Sequence, residues 1–460
     1  MLVNDVETLE ICSKESEFKS ILFTLCYFHA AITERTKFGP IGWNRAYPFN
    51  LGDLKICQDV VYNYLENNSK VPWDDLRYLI GDIMYGGHIT DNWDRRLCQA
   101  FLNEYLQPEL VDGELFLAPN FKVPPNLDYV GYHNYIDNML PTETPTLYAL
   151  HPNAGINFML SESSYLFKSI SQLQSINLSG PLAAGSGDDQ LLDVVTTLIN
   201  NLPELFNIQD LYSKQMIEER SPYVVVLFQE CERMNILLNV IKVTLGELLQ
   251  SMKGQISMSS SLENMAREIN LQKVPTLWEK SSYESLCPLT QWFSELIRRY
   301  QELDNWGTDL SLPMSVWLGG LFNPQSFLTA IMQTATRKMD WPLDRISLVI
   351  EITKRSREEI SVGPREGAYV HGIYLEGARW ENSSGIIVDS NFKELFCPLN
   401  VSLLKAVPND KVDPKINQMY CCPLYKIRSR GPTYVWSFHL KTKDKPSKWI
   451  LASVSLLLEV

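Results

Sequence analysis

Nowhere in this chain does an apolar run reach the roughly 20 residues that a membrane-spanning helix needs. The opening MLVNDVETLE also lacks the pattern of a secretory signal. Both absences predict a soluble protein that stays in the cytosol. Positive charge is scarce: 41 Lys and Arg against 54 Asp and Glu leave a net charge of −13. That is the wrong sign for replacing phosphate counterions on nucleic acid or for a polybasic membrane anchor. The cysteines (Cys12, Cys26, Cys57, Cys98, Cys231, Cys287, Cys397, Cys421, Cys422) are odd in number and widely spread, which argues for reduced thiols rather than a disulfide framework. Cys421 and Cys422 are adjacent and would point to opposite faces of a strand, so they are poor partners for a structural zinc. The histidines (His29, His88, His133, His151, His371, His439) are far apart, and no HExxH, GxSxG, Walker A or CxxC pattern occurs.

What is present is an ordinary globular composition, 45% hydrophobic and 21% charged over 460 residues, long enough for roughly three domains. The first part reads as helical. Phe18, Ile21, Leu22, Leu25, Tyr27 and Phe28 mark an apolar helix face that ends before Gly39-Pro40, where Gly39, Pro40 and Gly42 make a turn around Trp43. Asn50 or Asp53 caps a second helix, Pro72 opens a third that stops at Gly86-Gly87, and Thr90 or Asp91 caps a fourth. Between 107 and 155, Pro108, Pro119, Pro124, Pro125, Pro141, Pro145 and Pro152 predict an extended segment laid over a surface. SGPLAAGSGDDQ (Ser179–Gln190) reads as a linker. It lacks the GK[ST] of a phosphate loop, and Asp188 and Asp189 suit the first turn of the helix that follows.

After Pro222, the residues Leu227, Cys231, Met234, Leu238, Ile241, Leu245, Leu248 and Met252 alternate spacings of four and three. This predicts one long helix packed in a bundle, because Val224, Val225, Phe228 and Leu237 widen the stripe beyond a two-stranded seam. Beyond Trp341-Pro342 the period becomes strand-like. Arg345–Thr353, Gly367–Leu375, GIIVD, Pro432–Leu440 and Trp449–Val460 predict a small antiparallel barrel or sandwich. The expected fold class is α+β, mainly α: helices, then a helical bundle, then a small antiparallel β-barrel.

No residue set compels a chemical role. Asp82, His88, Asp91 and Asp94 could in principle gather around a metal, but each also has a helix-cap or helix-dipole explanation. His133 sits among Tyr129, Tyr132 and Tyr135, where a packing histidine is the simpler reading than a general base. Any two of the 54 acidic residues could meet as a hydrolytic carboxylate pair, and nothing singles out a pair. We therefore expect no catalytic, cofactor-binding or metal-binding residues.

Four stretches crowd Trp, Phe, Pro and Gly together: FGPIGWNRAYPFN (Phe38–Asn50), DLRYLIGDIMYGGHITDNWDRRL (Asp75–Leu97), LPMSVWLGGLFNPQSFLTAIMQTATRKMDWPLD (Leu312–Asp344) and RGPTYVWSFHLKTK (Arg430–Lys443). With LYALHPNAGINF (Leu147–Phe158), they resemble the carboxyl-terminal end of dynein heavy chains. The resemblance implies that residues 1–155 form the helical lid of the sixth AAA+ module with a proline-rich extended segment. It implies that 156–340 form the helical part, and 341–460 the β-barrel part, of a C-terminal region lying on one face of the AAA+ ring. The linker, the stalk and the modules that hold ATP and Mg would lie upstream of Met1. That would make the sequence a fragment, a partial gene model or a short product, and not an enzyme by itself. Implied partners are the remaining AAA+ modules, with intermediate chains, light chains and microtubules met through the complete motor. The implied location is cytoplasm, cytoskeleton and ciliary axoneme, and PYVVVLFQECERMNILL (Pro222–Leu238) leans toward the outer-arm type. The alternative is a free-standing axonemal scaffold protein. A lid face without its partner would show an exposed apolar patch near Phe18–Phe28.

Overall fold

A computed structural model describes residues 12–178, 187–215 and 221–459. Most of the expected linker, 179–186, and the last residue of the expected final strand, Val460, lie outside the described residues. The first helix, α1 (Glu15–Glu34), buries Phe18, Ile21, Leu22, Phe23, Leu25 and Phe28. The expected exposed patch at Phe18–Phe28 is therefore corrected: these side chains are the middle of a core. In α2 (Leu51–Asn67) both proposed caps act together. Asn50 Oδ1 accepts from Gly52 N at 2.8 Å, and Asp53 Oδ2 accepts from Asn50 N at 2.9 Å, a reciprocal capping box. Next, α3 (Trp73–Tyr78) widens into a π-helical turn at Leu79–Met84. Asp91, rather than Thr90, caps α4 (Asn92–Tyr105), accepting from Trp93 N at 2.8 Å and Asp94 N at 3.1 Å.

The proline-rich segment is more regular than expected. It holds a short hairpin, β1 (Phe116–Ala118) with β2 (Phe121–Lys122), and a helix, α5 (Tyr129–Met139), in the proline-free stretch between Pro125 and Pro141. Helices α6 (Asn153–Leu178), α7 (Gly187–Asn201) and α8 (Ile208–Gln215) follow; the bounds of α7 put Asp188 and Asp189 in its first turn. The long helix is α9 (Pro222–Met252), with Leu227, Cys231, Met234, Leu238, Ile241, Leu245 and Leu248 buried along one stripe. Val224, Phe228 and Leu237 widen the stripe as expected, whereas Val225 faces solvent. Around α9 pack α10 (Ser260–Asn270), α11 (Thr276–Glu279), α12 (Leu289–Asp309) and α13 (Pro324–Met339).

Among the described residues the strands form open sheets, not a barrel. A four-stranded sheet has the order β3 (Val316–Trp317), β5 (Ala368–His371), β10 (Ser402–Pro408), β4 (Ile346–Ile352). A five-stranded sheet has the order β12 (Tyr434–Leu440), β11 (Tyr420–Tyr425), β13 (Ser455–Leu457), β6 (Tyr374–Glu376), β9 (Phe396–Pro398). A two-stranded ribbon pairs β7 (Arg379–Glu381) with β8 (Ile386–Val388). The sheets are mixed, since β3–β5 and β11–β13 pair in parallel.

Two local events explain why the expected antiparallel barrel does not close. The strand expected over Gly367–Leu375 breaks at Gly372, whose φ of +80° and close approach to Trp317 admit no side chain, so β5 and β6 enter different sheets. The strand expected from Trp449 starts instead as a helix, α14 (Pro446–Leu451), because Pro446 suits a first helical position. It becomes extended only after Ser453, at φ +54°. Two apolar cores result. One contains the helices from α1 to α5, and the other joins α9 and its neighbours to the sheets.

Candidate functional site

Two of the glycine-proline motifs meet where these cores meet. Gly39 (φ 55°, ψ −132°) and Pro40 turn the backbone after α1. A Cβ on Gly42 would lie 1.7 Å from the Arg35 carbonyl oxygen, so only glycine lets the turn close on the helix end. The Trp43 indole fixes this turn by donating to Ile32 O at 2.8 Å. On the other side, Arg430 (φ 50°) and Gly431 (φ 58°) bend the connection from β11 to β12, bringing Gly431 against the carbonyl of Asn44.

Arg35 is fully buried at the centre of this seam. Its Nε donates to Gly42 O at 3.1 Å; Nη1 donates to Tyr148 O at 2.6 Å and Leu451 O at 3.0 Å; Nη2 reaches Ser453 Oγ at 2.6 Å and Ile41 O at 3.5 Å. These bonds use all five guanidinium N–H groups. No carboxylate bonds Arg35 among the described residues, and burial lowers its pKa to about 9, partly offset by the charge of Asp94. Asp94 is itself 3% exposed; it accepts from Asn44 N at 3.0 Å, Arg45 N at 3.2 Å and Tyr47 OH at 2.7 Å. Burial pushes its pKa up to about 6.

Further polar ties cross the seam. Asn44 Nδ2 donates to Tyr425 OH at 2.9 Å and to Asp91 Oδ1 at 3.2 Å. Arg96 donates to Cys421 O at 2.7 Å, and its guanidinium lies 4.4 Å from the Trp93 ring and 5.5 Å from the Tyr420 ring. Asn153 donates to the carbonyls of Asn391 and Glu394 at 2.8 and 2.9 Å and accepts from Lys393 N at 3.0 Å. Arg430 pairs directly with Glu376, both buried, beside a cavity of about 20 Å³ that Ser453 and Asn153 also line. Backbone carbonyls and amides dominate this chemistry, which suits holding two bodies in register.

The residues singled out from sequence do not converge on a metal. Asp82 accepts from Gln99 Nε2 at 2.8 Å, His88 Nε2 lies 3.0 Å from Asp53 Oδ1, Asp91 caps α4, and Asp94 belongs to the seam. His133 packs edge-on against Tyr129 at 4.7 Å. Cys422 is buried and Cys421 half-exposed, on alternate positions of β11. Sequence reasoning missed Arg35, Asn153 and Ser453, since one polar residue after an apolar helix gives no sign that another element will cover it. It also missed Cys287, Glu295 and Glu459, whose potential ligand atoms lie within 4.8 Å of one another. In that group Ser285 Oγ and Cys287 Sγ donate to Glu459 Oε1 at 2.7 and 3.5 Å, and burial pushes the thiol up to about 11. The buried guanidinium of Arg299 acts on both carboxylates, and a nearby cation disfavours a bound metal ion.

Comparison with known proteins covers nearly the whole sequence. The family model for the AAA lid domain of dynein heavy chains matches residues 18–154, and the model for their C-terminal domain matches residues 160–458. The ciliary dynein beta chain of Tripneustes gratilla is 53% identical over 455 residues, which is 99% of this chain and 10% of that protein. Dynein axonemal heavy chain 11 of Sus scrofa is 53% identical over 456 residues, again 99% and 10%. The flagellar outer arm dynein beta chain of Chlamydomonas reinhardtii is 44% identical over 465 residues, covering 99% of this chain and 10% of the relative. The chain therefore spans about a tenth of the length of the curated relatives it matches.

Proposed function

This chain belongs to the dynein heavy chain family, as a C-terminal segment of the axonemal or ciliary type, and we propose that it braces the AAA+ ring of such a motor without doing nucleotide chemistry itself. The observation that carries the bracing role is an uncovered apolar stripe on α6. Met159 is 67% exposed and Phe167 71%, with Leu160, Leu166 and Ile170 on the same side of the helix at helical spacing. Side chains of that size left in water in a contiguous stripe mark a surface that another protein body covers. We assign that body to upstream AAA+ modules of a heavy chain. Intermediate chains, light chains and microtubules would be met through the whole motor, in the cytoskeleton of the ciliary axoneme.

In this reading residues 1–155 act as a lid, with 156–340 and 341–460 as the helical and sheet-rich parts of a C-terminal brace. ATP and Mg belong to other modules. No helix among the described residues is long and apolar enough to cross a membrane, and the acidic net charge of −13 disfavours nucleic acid. A brace of this kind changes motor output by favouring one ring conformation over another.

The test uses the purified protein. We expect no microtubule-stimulated ATPase and no microtubule co-sedimentation, together with binding to a separately produced heavy-chain fragment that carries the AAA+ modules. Saturable pelleting with microtubules by this protein alone would sink the reading. So would wild-type affinity for the ring fragment after Phe167→Glu and Ile170→Glu.

A further inference from the structure

We infer that Arg35 is a latch that makes the lid-like helices and the C-terminal sheets move as one lever. The proposal deepens the bracing role and rests on it for its consequence, although the latch itself is a property of this molecule.

Three observations carry it. First, the two apolar cores are separate clusters that share Ile450 alone among the described residues, and with Leu451 also packed on the helical core, much of the apolar contact between the bodies lies at the end of α14, beside the Arg35 bonds. Second, Arg35 divides its five donors between the bodies. Gly42 O, Ile41 O and Tyr148 O belong to the helical side, while Leu451 O ends α14 and Ser453 Oγ belongs to the turn between α14 and β13. A planar fork with fixed donor directions sets orientation as well as distance, which a lysine ammonium does not. Third, the far side of the latch is strained. Ser453, which offers its hydroxyl to Arg35, has φ 54°, and Arg430, 3% exposed on the same small cavity, has φ 50° with ψ −132°. Non-glycine residues rarely hold such conformations, and they persist only where the surroundings over-determine them.

The lever follows from connectivity. Ser453 is two residues before β13, and β13 lies at the centre of the five-stranded sheet. Arg35 directly follows α1, the central helix of the other core. A displacement of α1 thus reaches the middle of the sheet directly through Arg35, beside the Asn44–Tyr425 and Arg96–Cys421 ties, rather than being absorbed in a loop.

The experiment is hydrogen exchange with mass-spectrometric readout on the full 460-residue protein, comparing wild type with Arg35→Met, Arg35→Lys and Ser453→Ala. In wild type, amides at 449–454 and at 41–44 should be protected to the same degree. Arg35→Met should raise exchange on both sides about tenfold and leave α9 unchanged, with Arg35→Lys in between. Acceleration confined to 41–44, or none, would overturn the latch. If Arg35→Met does not fold, Ser453→Ala decides. Matched acceleration on both sides, of about threefold, supports the latch, and unchanged exchange overturns it. Failure of the bracing role would appear separately, as lost binding to the ring fragment by the wild-type protein.

Discussion

Glu230 is a carboxylate on α9, only 1% exposed. It is held there because Phe322 N and Asn323 N, at the start of α13, donate to its two oxygens at 2.6 and 3.0 Å. Glu230→Ala would leave two buried amides without partners, so chemical denaturation should show a loss of roughly 2–4 kcal/mol; Glu230→Gln, keeping one acceptor, should lose less. Asp94 gives a pH signature. Its pKa is raised in the folded protein from 3.8 to about 6 by burial, so the folded state holds this proton more tightly than the unfolded state. Its contribution to stability therefore improves as pH falls from about 6 toward 4, and is least favourable above 6. The difference in unfolding free energy between wild type and Asp94→Asn should shift by about 3 kcal/mol across that window, with wild type gaining on the acid side. A pH-independent difference in paired denaturation curves would contradict the assignment. Neither role is legible in the sequence. Asp94 reads there as a first-turn carboxylate, and what distinguishes it is coverage by residues 44–47, a property of tertiary contact.

Among the elements, α9 is the most readable, since its alternating spacing of apolar residues maps directly onto a buried stripe. Leu238→Ala, at a position 1% exposed, should cost roughly 2–5 kcal/mol. Ile236, two residues earlier and 56% exposed, should tolerate alanine to within about 0.5 kcal/mol. Equal losses at the two sites in thermal melts would mean that the helix face is wrongly assigned. Capping is equally legible: Asn50, Asp53 and Asp91 all act at the helix starts where their side chains placed them. The strands are harder to read, for a physical reason. Alternation shows that a segment is extended but not which sheet it joins, and membership here is decided at single residues. Gly372 sends β5 and β6 apart, and the turn at Ser453 delays β13. A barrel expected from five strand-like stretches became open mixed sheets through those two turns.

At the scale of the whole molecule, the bracing surface and the latch make different demands on stability. The stripe on α6 is exposed, so Phe167→Glu with Ile170→Glu should leave the melting transition unchanged while reducing binding of a hydrophobic dye and self-association. A large drop in melting temperature would show that the stripe is already covered within the molecule. The order of the five-stranded sheet has a further consequence, for synthesis. Strand β13 supplies the central position between β11 and β6, although it is the last of these strands to be made. While a ribosome is still translating the preceding residues, β11–β12 and β6–β9 exist as separate ribbons with unpaired inner edges. A premature stop codon after β12 and before position 455 leaves them in that state permanently. Such a product would keep most of its residues yet present two bare strand edges to chaperones and to other nascent polypeptides.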